Sequence, residues 1–137
     1  MYEPKLEKHL RCPLEYGLNI FAGKWKPRII CVLAKYHQLR YTQLREVLDD
    51  ASDTVLANAL KELQDEDIVE RKQYDEIPPR VEYRLSAKGK SVIPILQLLC
   101  QWAEPYFEGD PNDPLTANQC LNVSDAVIVQ HTKTQAH

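Results

Sequence analysis

The hydrophobic period of the chain changes from helical to strand-like near residue 68, and this change limits the folds that the chain can adopt. Before it, apolar residues recur at helical spacing, at Val55, Leu56, Ala59, Leu60 and Leu63. After it, the strand-like segments 68–74 and 81–85 flank a turn that contains Pro78 and Pro79. Prolines suit a hairpin tip because no ladder partner is needed there. The sequence therefore predicts a helix followed by a two-stranded hairpin.

Three further helices are predicted before this unit. Pro13 lies in the first turn of one helix, and Trp25 begins the next. The second helix is nearly apolar on all sides, as expected for a buried central helix, at Ile29, Ile30, Val32 and Leu33. Thr42 is the predicted N-cap of the third helix, and Ser52 is the predicted N-cap of the helix that precedes the hairpin.

One long helix is predicted after the hairpin. Ser86 is its expected N-cap, it runs to about Phe107, and Pro94 is expected to bend it near its start. Its apolar face comprises Ile93, Leu96, Leu99, Cys100, Ala103 and Phe107. A helix at the edge of a small domain cannot bury such a face alone, so we expect it to pair with a second copy of the chain. The predicted fold class is mostly α with a small β-hairpin (α+β).

Charge does not by itself favour nucleic-acid binding. The net charge is −3, and residues 24–90 carry 13 Lys and Arg against 12 Asp and Glu. Affinity for DNA depends on local cations that replace counterions at phosphates, so the total is not decisive. No apolar run approaches the roughly 20 residues that span a bilayer. The charged N-terminus does not look like a signal peptide. We expect a cytoplasmic protein that does not enter the membrane.

The chain shows no pattern typical of an enzyme or a metal site. It has no nucleophile elbow, phosphate loop or paired-carboxylate motif, so no catalytic residue is predicted. The four cysteines form no CxxC pair. His9 lies three residues before Cys12, but two ligands do not make a closed zinc site. We expect neither a metal nor a cofactor.

A helix, a tight turn, a second helix and a hairpin together make the winged helix-turn-helix arrangement. Several motifs between residues 12 and 107 resemble the HxlR family of bacterial transcription regulators: CPLEY (12–16), GKW (23–25), YTQL (41–44), LKEL (60–63), PPRVEYRL (78–85) and KG (88–89). The resemblance implies a regulator that binds double-stranded DNA as a homodimer. It also implies that residues 1–107 form the DNA-binding and dimerisation domain, with the last long helix in the dimer interface, and that 108–137 form a tail, to which no role is assigned.

The resemblance makes 52–63 the recognition helix. The DNA-contacting residues predicted on it are Ser52, Thr54, Asn58 and Lys61. In the wing, phosphate contacts are predicted at Arg71, Lys72, Arg80 and Arg84, with Arg80 ranked first because it lies at the tip. The alternative for these four cations is pairing with acidic residues of the hairpin, namely Glu70, Asp75, Glu76 and Glu82.

Three positions depart from the family pattern. Asp53 and Thr54 stand where glutamine or a basic residue is usual, and Asp67 replaces the glycine that usually ends the recognition helix. Asp53 would repel phosphate, yet it could accept a hydrogen bond from cytosine. Its other interpretation is an acid at a helix N-terminus, which the helix dipole favours. These departures support an alternative function, a winged-helix interaction protein that has lost sequence-specific DNA binding.

The family often senses oxidants or electrophiles through an N-terminal cysteine, and Cys12 is the corresponding residue. It precedes Pro13 at a helix N-terminus, where thiolate is stabilised. The resemblance thus predicts a thiol sensor at Cys12, with Cys100 of the partner subunit as the thiol that captures it. The alternative is an unreactive thiol at Cys12. A thiol enzyme using Cys12 is a further rival, although no general base accompanies it.

Overall fold

A computed structural model describes residues 10–110 of the chain. In chain order the elements are α1 (Pro13–Ile20), α2 (Trp25–Tyr36), β1 (Gln38–Arg40), α3 (Tyr41–Val47), α4 (Asp53–Asp65), β2 (Val69–Tyr74), β3 (Arg80–Leu85), α5 (Ala87–Ser91) and α6 (Ile93–Ala103), followed by a 3₁₀ turn (Glu104–Tyr106). The strands form one antiparallel sheet in the order β1–β3–β2. The predicted fold class, mostly α with a small hairpin, is confirmed.

The core is built around α2, as its composition predicts. The four aliphatic residues of α2 named above are all fully buried. They pack with buried residues from α3, α4 and the sheet, which include Leu44, Leu56, Leu60, Leu63, Ile68 and Leu85. Val55 is the exception to the predicted stripe on α4, because its side chain is partly exposed. The helical period alone thus identified nearly the whole inner face of α4.

Two of the three predicted N-caps are confirmed. Ser52 Oγ accepts a hydrogen bond from the backbone N–H of Val55 at 3.2 Å. Ser86 Oγ likewise accepts from the N–H of Gly89 at 2.9 Å. The prediction for Thr42 is wrong, because α3 begins one residue earlier and Thr42 lies within its first turn. There the side chain of Gln43 accepts a hydrogen bond from the backbone N–H of Arg40, at 2.8 Å, which satisfies a donor that the helix leaves free.

The single long helix predicted after the hairpin is also wrong. Val92 lies between α5 and α6, as the C-cap of the first and the N-cap of the second, with φ −88° and ψ −10°. Pro94 explains the break, since it has no N–H to donate to residue 90 and its ring crowds that carbonyl. Pro94 instead occupies the first turn of α6, where a proline is tolerated. A second proline, Pro105, lies in the 3₁₀ turn that follows α6.

The short strand β1 was not predicted. It pairs with β3, with Leu39 opposite Tyr83 and Arg40 opposite Glu82. His37, between α2 and β1, has φ 72° and ψ −53°, which is a rare conformation for a residue other than glycine. The strand thereby ties the end of α2 to the sheet and sets where α3 begins.

Candidate nucleic-acid interface

The outward face of α4 is polar and exposed. Thr54, Asn58 and Lys61 all lie on it, opposite the buried row of leucines. Ser52 is exposed at the helix start, where its oxygen is engaged by the cap and its O–H remains a donor. Lys61 lies 3.5 Å from Asp65, but both side chains are mostly exposed, so this pair is weak. The four residues predicted from the sequence therefore lie along one accessible surface.

The angle between α3 and α4 is held by Arg45. Its Nε lies 2.6 Å from Oδ1 of Asp53, in the first turn of α4. Its Nη1 donates to the backbone carbonyl of Ala51 in the intervening turn, at 3.0 Å. Tyr41 donates its hydroxyl to the same Asp53 oxygen at 2.9 Å. One carboxylate thus joins both ends of α3 to the start of α4.

These contacts favour the interpretation of Asp53 as a helix N-terminal acid. Its negative charge faces the positive end of the α4 dipole and the Arg45 guanidinium, so much of its repulsion toward phosphate is offset. Burial, followed by the hydrogen bond to Asp53, raises the pKa of Tyr41 above its ordinary value. Tyr41 therefore remains a hydrogen-bond donor to Asp53 at neutral pH.

Asp67 ends the recognition helix in the left-handed conformation. Its φ is 60°, and its N–H bonds to the carbonyl of Gln64 at 3.0 Å, while the N–H of Ile68 bonds to that of Leu63 at 2.8 Å. This pair of bonds is the Schellman motif, whose left-handed residue is usually glycine. Asp67 thus forms the helix ending that glycine usually provides, because aspartate tolerates this conformation better than most residues.

The wing arginines that were predicted to contact phosphate already contact carboxylates. Arg80 lies 3.1 Å from Glu76 and 3.6 Å from Glu82, and its guanidinium lies 4.0 Å from the ring centre of Tyr74. Arg84 lies 3.0 Å from Glu70. For these two residues the geometry matches the ion-paired alternative, although each guanidinium has further N–H groups that can donate to a phosphate.

Arg71 and Lys72 differ from the other two wing cations. Both are exposed, and within residues 10–110 neither has a carboxylate within 4.0 Å. Arg71 makes only a long hydrogen bond to Gln73, at 3.4 Å. The ammonium of Lys72 lies 5.1 Å from the ring centre of Tyr74. Of the four predicted wing contacts, these two are the more available to a phosphate.

Arg40 was not among the DNA contacts predicted from the sequence. The register places it across β3 from Lys72, with Glu82 between them, so the two cations flank one carboxylate. Arg40 also lines a groove of about 410 Å³ between the start of α3 and the wing tip, opposite Arg80. A strand of three residues is too short to show an alternating pattern, so no sequence signal could have placed this cation.

Two helices, α1 and α6, expose large apolar side chains. The exposed side chains of α1 and α6 include Leu14, Leu18, Ile95, Leu98, Leu99 and Trp102, and Tyr106 and Phe107 continue the surface. The predicted interface stripe is therefore partly wrong: Leu96 is 6% exposed and packs into the core, whereas Leu99 is 55% exposed. We call the exposed set the α1–α6 surface. So many large apolar side chains exposed on two helices exceed the single exposed apolar residues that are normal on a monomer.

Cys12 is exposed, and it is the residue that precedes α1. The nearby cation Arg11 pairs with Glu15 at 3.2 Å, so it is not free to stabilise a thiolate. Cys31 and Cys100 are half-buried, and no disulfide joins the three cysteines of the described residues. Cys120, Lys8 and His9 lie outside the described residues, as does 111–137, which is most of the predicted tail.

A polar cluster joins α1 to the end of the recognition helix. Lys88 donates to the hydroxyl of Tyr16 and to the backbone carbonyl of Glu66, each at 2.8 Å. Tyr16 in turn lies 3.3 Å from the Glu66 carboxylate. Glu66 directly follows α4. A displacement of α1 would therefore change the contacts that Tyr16 and Lys88 make at the end of α4.

Within the described part of the chain, no helix has the length and apolarity to cross a bilayer. Over the same residues, no three His, Cys, Asp or Glu side chains converge as metal ligands would.

Comparison with known proteins gives one consistent family. The model of the HxlR-like helix-turn-helix family matches residues 20–111. A protein of Methanothermobacter thermautotrophicus, named an uncharacterized HTH-type transcriptional regulator, is 41% identical over 101 residues, which are 74% of this chain and 76% of the relative. The reduced form of the transcriptional regulator YodB from Bacillus subtilis is 32% identical, with a TM-score of 0.63, over 80% of this chain and 100% of YodB. The oxidized form of the redox regulator HypR is 30% identical, with a TM-score of 0.61, over 72% of this chain and 100% of HypR.

Proposed function

Because the chain belongs to the HxlR-like helix-turn-helix family of transcriptional regulators, we propose that it regulates transcription by binding double-stranded DNA as a homodimer. Residues 1–107 act as the DNA-binding and dimerisation domain, and 108–137 as a tail. The observation that carries the proposal is the exposed polar face of α4, which the contacts of Arg45 and Tyr41 with Asp53 hold at a fixed angle to α3.

In this proposal α4 enters the major groove with its N-terminal half toward the bases. Asn58 reads a base edge, since its amide can pair with adenine through two hydrogen bonds. Thr54 supplies a hydroxyl and a methyl group to the neighbouring base pair. Ser52 and Lys61 contact the backbone at the two ends of this surface.

The wing contacts phosphates beside the groove. Arg71 and Lys72 are the primary contacts, because their charges have no carboxylate partner among residues 10–110. Arg80 and Arg84 contribute less, because each must share its charge with a glutamate. This order reverses the ranking that position at the hairpin tip suggests.

The α1–α6 surface is the dimer interface. The apolar side chains exposed on α1 and α6 are stabilised when a twofold-related copy covers them, since burial of apolar area is the main favourable term in association. Pairing there leaves α4 and the wing free. Two recognition helices at a fixed separation then match two half-sites on the DNA.

We further propose that Cys12 senses oxidants. Its exposed thiol lies at the start of α1, and similarity to the redox regulator HypR supports the assignment. A peroxide would oxidise the Cys12 thiolate to a sulfenic acid, with release of water or an alcohol. Cys100 of the partner subunit would then displace water to give a disulfide. The Tyr16–Lys88–Glu66 cluster provides a path from α1 to the end of α4.

The decisive experiment is genome-wide capture of DNA bound to the full chain, with and without peroxide or a quinone. We expect the protein to occupy discrete sites in the genome. The purified protein should bind DNA of these sites with strong salt dependence, and it should dissociate from them on oxidation. Cys12→Ser should bind the same sites in both conditions. Cys31→Ser is the matched control and should respond like the wild type. If the Cys12→Ser protein still dissociates from DNA on oxidation, Cys12 is not the sensor. If the wild type dissociates on oxidation without forming a Cys12–Cys100 disulfide, Cys100 is not the partner thiol.

One alternative is retained, a winged-helix interaction protein without sequence-specific DNA binding. The ion pairs of Arg80 and Arg84 are the observation that favours it, because they lower the charge that the wing offers to phosphates. Absence of discrete bound sites in the capture experiment, together with salt-insensitive association with another protein, would establish it.

A further inference from the structure

A cavity of about 750 Å³ lies beside the core, away from the polar face of α4. It is open to solvent on one side and is lined by the end of α2, by β1 and β3, by Lys90 of α5 and by the start of α6. Leu33, Leu85 and Ile93 give it apolar walls. Cavities that bind small molecules usually have about 300–1,000 Å³ and mostly apolar walls with a few polar groups. This cavity has the size and the lining of such a site.

One buried polar group in the cavity wall has no partner. Gln97 lines the cavity and is 1% exposed, and its Oε1 accepts no hydrogen bond from any of residues 10–110. Gln97 lies on the inward side of α6, beside Leu96, so a second subunit on the α1–α6 surface would not reach it. Burial of an amide oxygen without a donor is unfavourable. A ligand that carries a hydrogen-bond donor would remove this cost.

The mouth of the cavity is positively charged. Lys35, Lys90 and Arg84 line it, and no aspartate or glutamate of the described residues does so. Lys90 makes no ion pair within that part of the chain, while Arg84 is held by Glu70. The uncompensated charge at Lys90 favours an anion at the mouth.

A strained backbone segment forms one edge. His37 lines the cavity with φ 72° and ψ −53°, close to the rare form of the γ-turn. Such conformations persist only where the surrounding structure enforces them, and they concentrate at ligand-binding and switch regions.

We propose that this cavity binds a small organic monoanion with an apolar body and a hydrogen-bond donor at the end opposite its negative charge. The apolar body lies against Leu33, Leu85 and Ile93. The donor bonds to Oε1 of Gln97 after that side chain turns toward the cavity, because the structure buries this oxygen from solvent. The anionic group remains near Lys90 at the mouth. This site shares one residue, Arg84, with the proposed DNA-binding surface. Its occupancy is measured without DNA, so its failure and the failure of the proposed function are distinguishable.

The test uses the reduced full chain and three matched probes. 4-Hydroxyphenylacetate has the apolar ring, the donor and the charge; phenylacetate lacks the donor, and 4-hydroxyphenylacetamide lacks the charge. Calorimetry should give a Kd of about 1 mM or lower for the first probe. Each of the others should bind about fivefold more weakly or worse. Amide NMR shifts should centre on His37, Leu85 and Gln97.

Variants separate a ligand site from simple core packing. Gln97→Leu should keep or raise the Tm and abolish the preference for the hydroxylated probe, since an apolar group replaces the unsatisfied oxygen. Lys90→Gln should abolish the preference for the anion, and the control Lys24→Gln, away from the cavity, should change neither. The proposal is overturned if no probe saturates the protein at 10 mM, if all three bind equally, if Gln97→Leu keeps the hydroxyl preference, or if the shifts centre on Leu98, Leu99 and Trp102.

Discussion

The two surfaces to which we assign partners are built in opposite ways. On the polar surface of α4 and the wing, many charged groups already have a partner within the domain, as Asp53 has Arg45 and Arg84 has Glu70. On the α1–α6 surface, large apolar side chains such as Leu99 and Trp102 are exposed and no described residue covers them.

Because of this difference, we expect a single substitution to have a smaller effect on the polar surface than on the apolar one. Binding through a polar surface is spread over many weak, salt-sensitive contacts, so the loss of one is partly compensated. An apolar interface concentrates its free energy in a few buried side chains, and one charge within it can abolish association.

Leu99→Asp should give the largest effect. A buried carboxylate at the centre of the α1–α6 surface, repeated in both subunits, is not compensated, so the dimer should dissociate. DNA affinity should then fall by about 10²–10⁴-fold, because two linked half-site contacts become one. Light scattering gives the mass and fluorescence anisotropy the affinity.

The matched control for this variant is Leu96→Ala. Leu96 faces the core, so its truncation should cost about 2–5 kcal/mol of the free energy of unfolding while the remaining folded protein stays dimeric. A Leu99→Asp protein that is dimeric and binds DNA normally would show that the dimer forms elsewhere.

Asn58→Ala should change which sequence is preferred. Loss of a bidentate contact to a base removes about 1–3 kcal/mol of discrimination at one base pair of each half-site. Selection from a random DNA library measures this preference. Lys61→Ala is the control, and it should weaken binding to all sequences alike. Recovery of the same site at the same strength would exclude Asn58 as a reader.

Replacement of Lys72 should reduce the salt dependence of DNA binding more than replacement of Arg80. Lys72→Gln should reduce the magnitude of the slope of the logarithm of the DNA-binding constant against the logarithm of the salt concentration by about 2. The homodimer loses one phosphate contact in each subunit, and each contact contributes about 1 to the slope. Arg80 shares its charge with glutamates, so the double variant Glu76→Gln, Arg80→Gln, which keeps the net charge, should lower the slope by less than Lys72→Gln does. Titrations at several salt concentrations compare the two. A slope that falls only in the double variant would restore Arg80 as the main wing contact.

Tyr41→Phe should give the smallest effect. At pH 7 it removes the hydrogen bond to Asp53 and should lower the free energy of unfolding by about 1 kcal/mol. The pKa of Tyr41 is raised in the folded state, so the stabilisation is fully present below about pH 10, the unfolded value, and is lost as pH rises through the folded value. The difference between wild type and variant should therefore narrow above pH 10.

Urea unfolding between pH 7 and pH 11 tests this prediction, because titration of the other tyrosines and of the lysines is common to both proteins. A difference that stays constant across that range would show that the Tyr41 hydroxyl does not interact with Asp53.

Local patterns in the sequence determined most of the fold. The apolar period placed the inner face of α4, the serine caps fixed where α4 and α5 begin, and the alternation of Val81, Tyr83 and Leu85 gave β3. Each of these signals involves residues within a few positions of one another, so their physical cause is visible without the rest of the molecule. The family motifs depend on the same local segments.

The pairing of charges and the burial of single polar groups were decided only by the tertiary structure. Arg45 meets Asp53 across a turn, Arg84 meets Glu70 across a hairpin, and Arg40 faces Glu82 through a strand that has no sequence signature. Gln97 looks like an ordinary member of an exposed helix until the fold buries it. A charge acts through whatever lies within a few ångströms of it, and that neighbourhood is set by contacts between segments that are distant in sequence.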